Sequence, residues 1–367
     1  MVQFVETSLT GYRLKVSEYG DDVETVSSVG ELETLRRIFP RLPRAKAALL
    51  GPGDDAAIVA APDGRFVVTT DMMIQGPDFR LAWSLPHELG WKAAASNLAD
   101  VAAMGAKPTA LVVAIAAPLD TPVTVLEGIA DGLRDACALM APDCGVVGGD
   151  LSTSSALTLV VTAFGDLEGR DAVLRSGARA GDDVAVAGLL GLAGAGVSLL
   201  YRDGCRDSDA DGSREPDARL ARNVRRDHPA LVQAQVAPTS PIALGIVAAL
   251  AGATAMLDVS DGLVLDASRI AAASGVTIAF SVELIEAEAE TLRGIDAATG
   301  RRALDFVLSG GEDHALFATF PPGSVPEGFR VIGSVEAAGD IAVTIGGEAY
   351  LHSGGWDPYA DWDGNSG

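Results

Sequence analysis

Basic charge is scarce in this chain. Its 27 lysines and arginines face 50 aspartates and glutamates, for a formal net charge of -23. A nucleic-acid partner demands a basic face, so none is expected. A phosphate ligand stays open, provided metal ions stand between it and the protein. Cysteine is scarce too: Cys137, Cys144 and Cys205 form no CxxC pair and no disulfide framework. That points to a reducing cytosol. Aromatics make up only 5%, so the core is built from small aliphatics. No long apolar run occurs. The most apolar stretch, Ile242 to Leu257, spans 16 residues, contains Gly245 and Gly252, and stops at Asp258. Crossing a bilayer takes about 20 apolar residues, so a buried helix and strand are expected and no membrane segment. The opening "MVQFVETSLTGYRLK" lacks the apolar core of a signal peptide.

Several catalytic devices are also missing. The four lysines, Lys15, Lys46, Lys92 and Lys107, never follow glycine, which excludes the GxxxxGK[ST] phosphate loop. No HRD or DFG set suggests a protein-kinase fold, and no GxSxG suggests a serine nucleophile. His87, His228, His314 and His352 lie in unrelated contexts and read as surface or packing histidines. "AVAGLLGLAGAG" at 185–196 has the look of a dinucleotide-binding turn. The following strand with its ribose-binding acid is missing, because a charged segment comes next.

What is present is a mixed α/β pattern long enough for two domains. An extension over 1–27 precedes a first domain over 28–167 and a second over 168–367. The second carries a charged surface loop at 203–228. Residues 28–43 read as an amphipathic helix capped by Ser27 or Ser28, and 56–61 and 65–70 as strands. Residues 86–106 read as an Ala-rich helix closed by Gly105, and 109–118 as a buried strand. A helix over 123–141, a short "GVVGGD" strand and a strand at 156–167 complete the first part. In the second, strands near 183, 255, 276 and 315 alternate with helices, and 329–337 with 341–347 read as a terminal pair.

Carboxylates sit at the ends of these elements: Asp54, Asp55, Asp71, Asp100, Asp150, Asp258, Asp261, Glu312 and Asp313. Several adjoin glycine, in "GDD", "GGD", "SDG" and "GGED". Asp and Gly are ordinary turn formers. Glycine also lets backbone approach a ligand closely, and hard cations that accompany phosphate want oxygen ligands. Asp100 decides between these readings. It lies on the apolar face of an Ala-rich helix, where an acid must be paired or bound.

The stretches "GPGDDAAIV", "VVTTDMMIQGPDF", "WKAAASNLADVAAMGAKP", "GGDLS", "LRSGARAGD", "LDVSDGLVLDASRI" and "LSGGEDHALF" occur in an order and spacing that resembles the thiamine-monophosphate kinases. These belong to the superfamily of aminoimidazole ribonucleotide synthetase. The resemblance covers about 30–350. It implies a two-domain mixed α/β (α+β) fold: an N-terminal sheet forming a barrel across a homodimer, and a C-terminal α/β sandwich. It implies a cytoplasmic enzyme that uses ATP and several Mg²⁺ ions to phosphorylate thiamine monophosphate to thiamine diphosphate.

By the same resemblance, Asp55, Thr69, Thr70, Asp71, Asp100, Asp150, Asp258 and Asp261 would hold metal. Gly149, Asp150, Arg175 and Ser260 would bind ATP. Asp150, Arg175 and Asp261 would serve the reaction most directly. Asp78, Glu312 and Trp356 would face the substrate, with Tyr359 the alternative aromatic. Two positions depart from the family pattern. Asp78 stands where a histidine is common, and Leu192 replaces an acid. The alternatives are another ATP-dependent enzyme of the superfamily or a degenerate nucleotide-binding regulator. No cysteine precedes Cys137 and the chain ends "DWDGNSG", which disfavours the cysteine-dependent members.

Overall fold

The computed structural model describes residues 24–50, 58–207 and 214–350. The first part runs α1 (Val26–Val29), α2 (Glu31–Ile38), β1 (Ala48–Leu50), β2 (Ile58–Val59), β3 (Val67–Ile74), α3 (Pro86–Ala103), β4 (Lys107–Ala117), α4 (Val123–Met140), β5 (Gly145–Thr153) and β6 (Thr158–Asp166). The second runs β7 (Asp183–Ala187), α5 (Leu192–Asp203), β8 (Cys205–Asp207), β9 (Arg214–Pro216), α6 (Ala218–Asp227), α7 (Pro229–Val236), α8 (Ala243–Leu250), β10 (Ala255–Val259) and α9 (Leu263–Ser274). It closes with β11 (Val276–Phe280), α10 (Val282–Ala289), α11 (Ile295–Thr299), α12 (Ala303–Ser309), β12 (Ala315–Phe320), β13 (Arg330–Ala337), β14 (Val343–Ile345) and β15 (Glu348–Ala349).

The first sheet has the order β3-β6-β4-β5, with only β4 and β5 parallel. Strand alternation sends Leu159, Val161 and Ala163 of β6 and Leu111 and Val113 of β4 into the core beneath α3 and α4. Val68 and Met72 of β3 point the other way and are 59% and 56% exposed. Helix α3 starts with Pro86, whose missing N–H costs nothing there. The Glu88 carboxylate accepts from the Leu85 N–H at 2.8 Å. The helix ends before Gly105, whose φ of +71° suits glycine.

The second sheet has the order β10-β12-β7-β13-β11-β14-β15. Both of its faces are covered. Ala185, Ala187, Met256, Leu316, Ala318 and Phe320 join the core of the first half, while Val184, Val186, Leu257, Val259 and Phe317 pack with buried residues of α5, α9 and α12. Burial on both faces explains why these strands read as continuous apolar runs rather than alternating ones.

Some expectations change. Gly30 splits the first helix into α1 and α2, and Thr25 rather than a serine caps the first turn. β5 continues to Thr153, past the turn read after "GVVGGD". β13 and β14 do not pair with each other, because each lies on one side of β11. The charged 203–228 segment contains a pair of short strands, β8 and β9, before α6. Residues 24–27 are tied to the first half, with Val26 N–H donating to the Thr121 carbonyl at 3.0 Å.

Candidate active site

Residues Thr69 and Asp71 of β3 alternate with Val68, Thr70 and Met72, so they face α3. There the Thr69 hydroxyl donates to Asp100 Oδ2 at 2.7 Å. Burial pushes the Asp100 carboxyl up to about 7, and the charges of Asp258 and Asp71 add to the push. Asp71 is raised as well, by burial and by Asp258 and Asp261, with His314 opposing. Asp258, at the end of β10, is buried and lies 3.1 Å from His314 Nδ1. Burial disfavours the imidazolium, but the bond to Asp258 and the charge of Glu312 win, and the His314 pKa is raised. Two strands and one helix from the two halves thus bring Asp71, Asp100 and Asp258 into one electrostatic group.

The "SDG" turn after β10 is built around Asp266. Its Oδ2 accepts the N–H groups of Ser260, Asp261 and Gly262 at 3.1, 3.0 and 3.2 Å. Arg269 bridges Asp261 at 2.7 Å and Asp266 at 2.5 Å. The "GGEDH" loop lies against this turn. The Glu312 N–H donates to the Ser260 carbonyl at 2.7 Å and the His314 N–H to the Val259 carbonyl at 2.9 Å. Glu312 and His314 both have positive φ, +66° and +51°. Such strain in non-glycine residues is characteristic of functional loops. Asp313 accepts from the Gly191 and Ala193 N–H groups at 2.5 and 3.0 Å. Its carboxylate therefore caps α5, the helix after the Gly-rich run.

Glu312 reaches back toward α3. Lys92 Nζ lies 2.8 Å from Glu312 Oε1, and Gln235 Nε2 of α7 donates to Oε2. Asp78 lies nearby. Its Oδ2 accepts the Ile74 N–H at 2.7 Å, and burial, then Glu312, raise its pKa against that bond. Arg80 lies 4.8 Å from the ring centroids of both Trp83 and Tyr201.

Other expected site residues are placed elsewhere. Thr70 points to the opposite face of the sheet, where its hydroxyl meets Thr162 Oγ1 at 3.1 Å. Gly149 and Asp150 are exposed on β5, and the register puts Asp150 in the row of Ala114, Val160 and Met72. Arg175 is exposed in the segment joining the two sheets, its carbonyl accepting from Ser274 Oγ at 2.9 Å. Asp54, Asp55, His352, Trp356 and Tyr359 lie outside the described residues.

Sequence reasoning missed Lys92, Gln235 and Arg269, and it read His314 as a surface or packing histidine. His314 does pack, being 6% exposed, but against a buried carboxylate. Lys92 carried a signal: it is a lone lysine in the same Ala-rich helix as Asp100. Gln235 carried none.

The donor set suits a hard divalent cation: carboxylate and hydroxyl oxygens, buried enough that two acids resist ionisation, with His314 opposing the rise in both. Among the described residues, no three His, Cys, Asp or Glu side chains close on one point tightly enough to hold an ion alone. A bound cation would complete its shell with water or ligand oxygens, as Mg²⁺ commonly does.

Residues 53–167 match the family described as "AIR synthase related protein, N-terminal domain". The thiamine-monophosphate kinase of Mycobacterium tuberculosis (strain CDC 1551 / Oshkosh) is 42% identical over 339 residues, covering 92% of this chain and 94% of that protein. The crystal structure of thiamine monophosphate kinase from Aquifex aeolicus is 31% identical, with a TM-score of 0.66 over 81% of this chain and 91% of that one. AaThiL complexed with AMPPCP and TMP matches at 31% identity and a TM-score of 0.66, over 82% of this chain and 90% of that chain. At that identity and coverage, and with the acids of both halves meeting around α3, the chain belongs to the thiamine-monophosphate kinase family.

Proposed function

We infer that this chain transfers the γ-phosphoryl group of ATP to the phosphate of thiamine monophosphate, giving thiamine diphosphate, with Mg²⁺. The observation that carries the reading is the joining of Asp71, Asp100 and Asp258 from β3, α3 and β10. Buried like charges without cations are unfavourable, so the group is understandable as a cation cradle. Its members lie in "VVTTDMMIQGPDF", "WKAAASNLADVAAMGAKP" and "LDVSDGLVLDASRI", three of the stretches that carry the resemblance. Bound divalent cations would neutralise two approaching polyanions and orient the transferred group.

Around that centre the chain supplies position. Thr69 orients Asp100, Asp266 shapes the turn that presents Ser260 and Asp261, and Arg269 holds Asp261 in place. Gly149, Asp150 and Arg175 serve the nucleotide, with Asp55 as a further metal-side group. Glu312, Asp78 and Trp356 serve the thiamine end. The acceptor phosphate is largely ionised near neutral pH, its second pKa being about 6. It therefore needs no strong general base.

Two domains meeting near residue 167, a homodimer joined through the first sheet, and a cytoplasmic setting belong to the same reading. The buried free thiols of Cys137, Cys144 and Cys205 support the last.

The test is product formation from Mg²⁺-ATP with thiamine monophosphate, thiamine and an aminoimidazole precursor offered side by side. Thiamine diphosphate should form from the first alone, and Asp100→Asn should abolish turnover while keeping the fold. ATP binding without any phosphorylated product would overturn the reading in favour of a regulator.

A further inference from the structure

We propose that Lys92 and Gln235 are positioning residues that act through Glu312, holding its carboxylate at a set angle for the thiamine end of the acceptor. The proposal rests on the reading that Glu312 faces that substrate. Each Glu312 oxygen has its own donor: Lys92 Nζ at 2.8 Å from Oε1, and Gln235 Nε2 on Oε2. The donors come from different elements, α3 and α7, so the grip fixes the carboxylate in two directions. Exposure is graded. The Glu312 side chain is 38% exposed and that of Lys92 only 6%. A ligand can therefore reach the carboxylate and not the groups behind it.

The arrangement is retained against local cost. A buried ammonium is unfavourable unless paired, and Glu312 itself has a left-handed backbone. Gln235 Oε1 is buried with no partner among the described residues. Flipping the amide would point that oxygen at the carboxylate, so the observed orientation serves Glu312 at the expense of its own acceptor.

The charges around Glu312 set the expected pH behaviour. Lys92 approaches from α3, Asp78 from the loop after β3, Tyr201 from α5, and Asp313 and His314 from its own loop. Partial burial would raise the Glu312 pKa, but Lys92 and Gln235, helped by His314, hold it below the usual carboxylate range. The anion is therefore kept across the neutral range. Removing Lys92 takes away the largest of the effects that oppose burial.

Steady-state kinetics with Lys92→Met, Gln235→Leu, Glu312→Gln and the Lys92→Met/Glu312→Gln double variant tests this, on full-length protein with melting curves as a folding check. Lys92→Met should raise KM for thiamine monophosphate about ten-fold while KM for ATP and kcat move less than about two-fold. Lowering the pH should enlarge that rise, because a carboxyl without its ammonium partner holds a proton more readily. Gln235→Leu should move KM in the same direction by a few-fold. It remains informative if the lysine variant does not fold.

In the double variant, Lys92→Met should add less than about two-fold to the effect of Glu312→Gln, because it acts through that residue. Additive effects, or equal losses toward both substrates, would overturn the positioning role. If Glu312→Gln itself leaves KM for thiamine monophosphate unchanged, the substrate reading of Glu312 fails instead.

Discussion

At the scale of single residues, the site is defined by acids that resist ionisation in the absence of cations. Asp100, pushed up to about 7 from an ordinary 3.8, is the clearest case. An acid whose folded pKa exceeds its unfolded value binds its proton more tightly when folded. Stability then falls as pH rises between the two values, and the loss is complete above the higher one. For Asp100 the window runs from about 4 to about 7, with a loss on the order of 2 to 4 kcal/mol. In EDTA, the Tm should therefore drop by several degrees between about pH 5 and pH 8. Asp266 and Asp313, also pushed up to about 7 by burial, titrate in the same direction. Two comparisons isolate Asp100 from them. Mg²⁺ with ATP should flatten the profile, and Asp100→Asn should remove part of the slope in EDTA and raise the Tm at pH 8. Scanning fluorimetry showing one slope under all these conditions would remove Asp100 from the cation site.

At the scale of elements, the arrangement depends on how closely α3 and α4 approach. A Cβ on Gly90 would sit 1.9 Å from the Ile129 carbonyl oxygen, and one on Gly132 would sit 1.9 Å from that of His87. The two glycines thus allow backbone-to-backbone contact at one crossing. Helix α3 carries both Lys92 and Asp100, about 12 Å apart along its axis at 1.5 Å per residue. Prying it from α4 would disturb both ends of the site. Gly132→Ala should cost at least about 1 to 3 kcal/mol in denaturant unfolding and lower kcat as well. A change within about 0.5 kcal/mol, typical of inconsequential surface positions, would show that the crossing relaxes without strain.

This scale also shows where the sequence was readable. Helix α3 was legible because Pro86, the alanine run and Gly105 all agree on one element. β5 was read short because "GGD" resembles a turn, whereas parallel pairing with β4 carries the strand through Asp150 to Thr153. Asp150, Asp261 and Glu312 were legible because glycine adjoins each of them, and Asp100 because it lies on the apolar face of an Ala-rich helix. Gln235 was not, since only tertiary packing of α7 brings it to Glu312. His314 was misjudged because its partner, Asp258, is 56 residues away in sequence.

At the scale of the whole molecule, the first sheet poses the remaining question. One face is sealed by α3 and α4. The other presents Val68 and Met72, 59% and 56% exposed, together with partly buried Val112, Val160 and Phe164. Among the described residues, the outer strands β3 and β5 each pair on one side only. A half-apolar face with two open edges is an aggregation hazard unless it is covered. A second copy of the same sheet matches it in polarity. Such a closed arrangement would bury on the order of 800 Å² per partner, enough for a stable dimer. Light scattering should therefore give a dimer mass at micromolar concentration. Met72→Glu should shift it toward monomer, because it puts an unpaired charge on each partner into a desolvated surface. Leu250 is the control. It is 71% exposed but lies on α8, away from this face, so Leu250→Glu should leave the mass unchanged. If the wild type is a monomer, or if both substitutions act alike, the first sheet is not the joining surface.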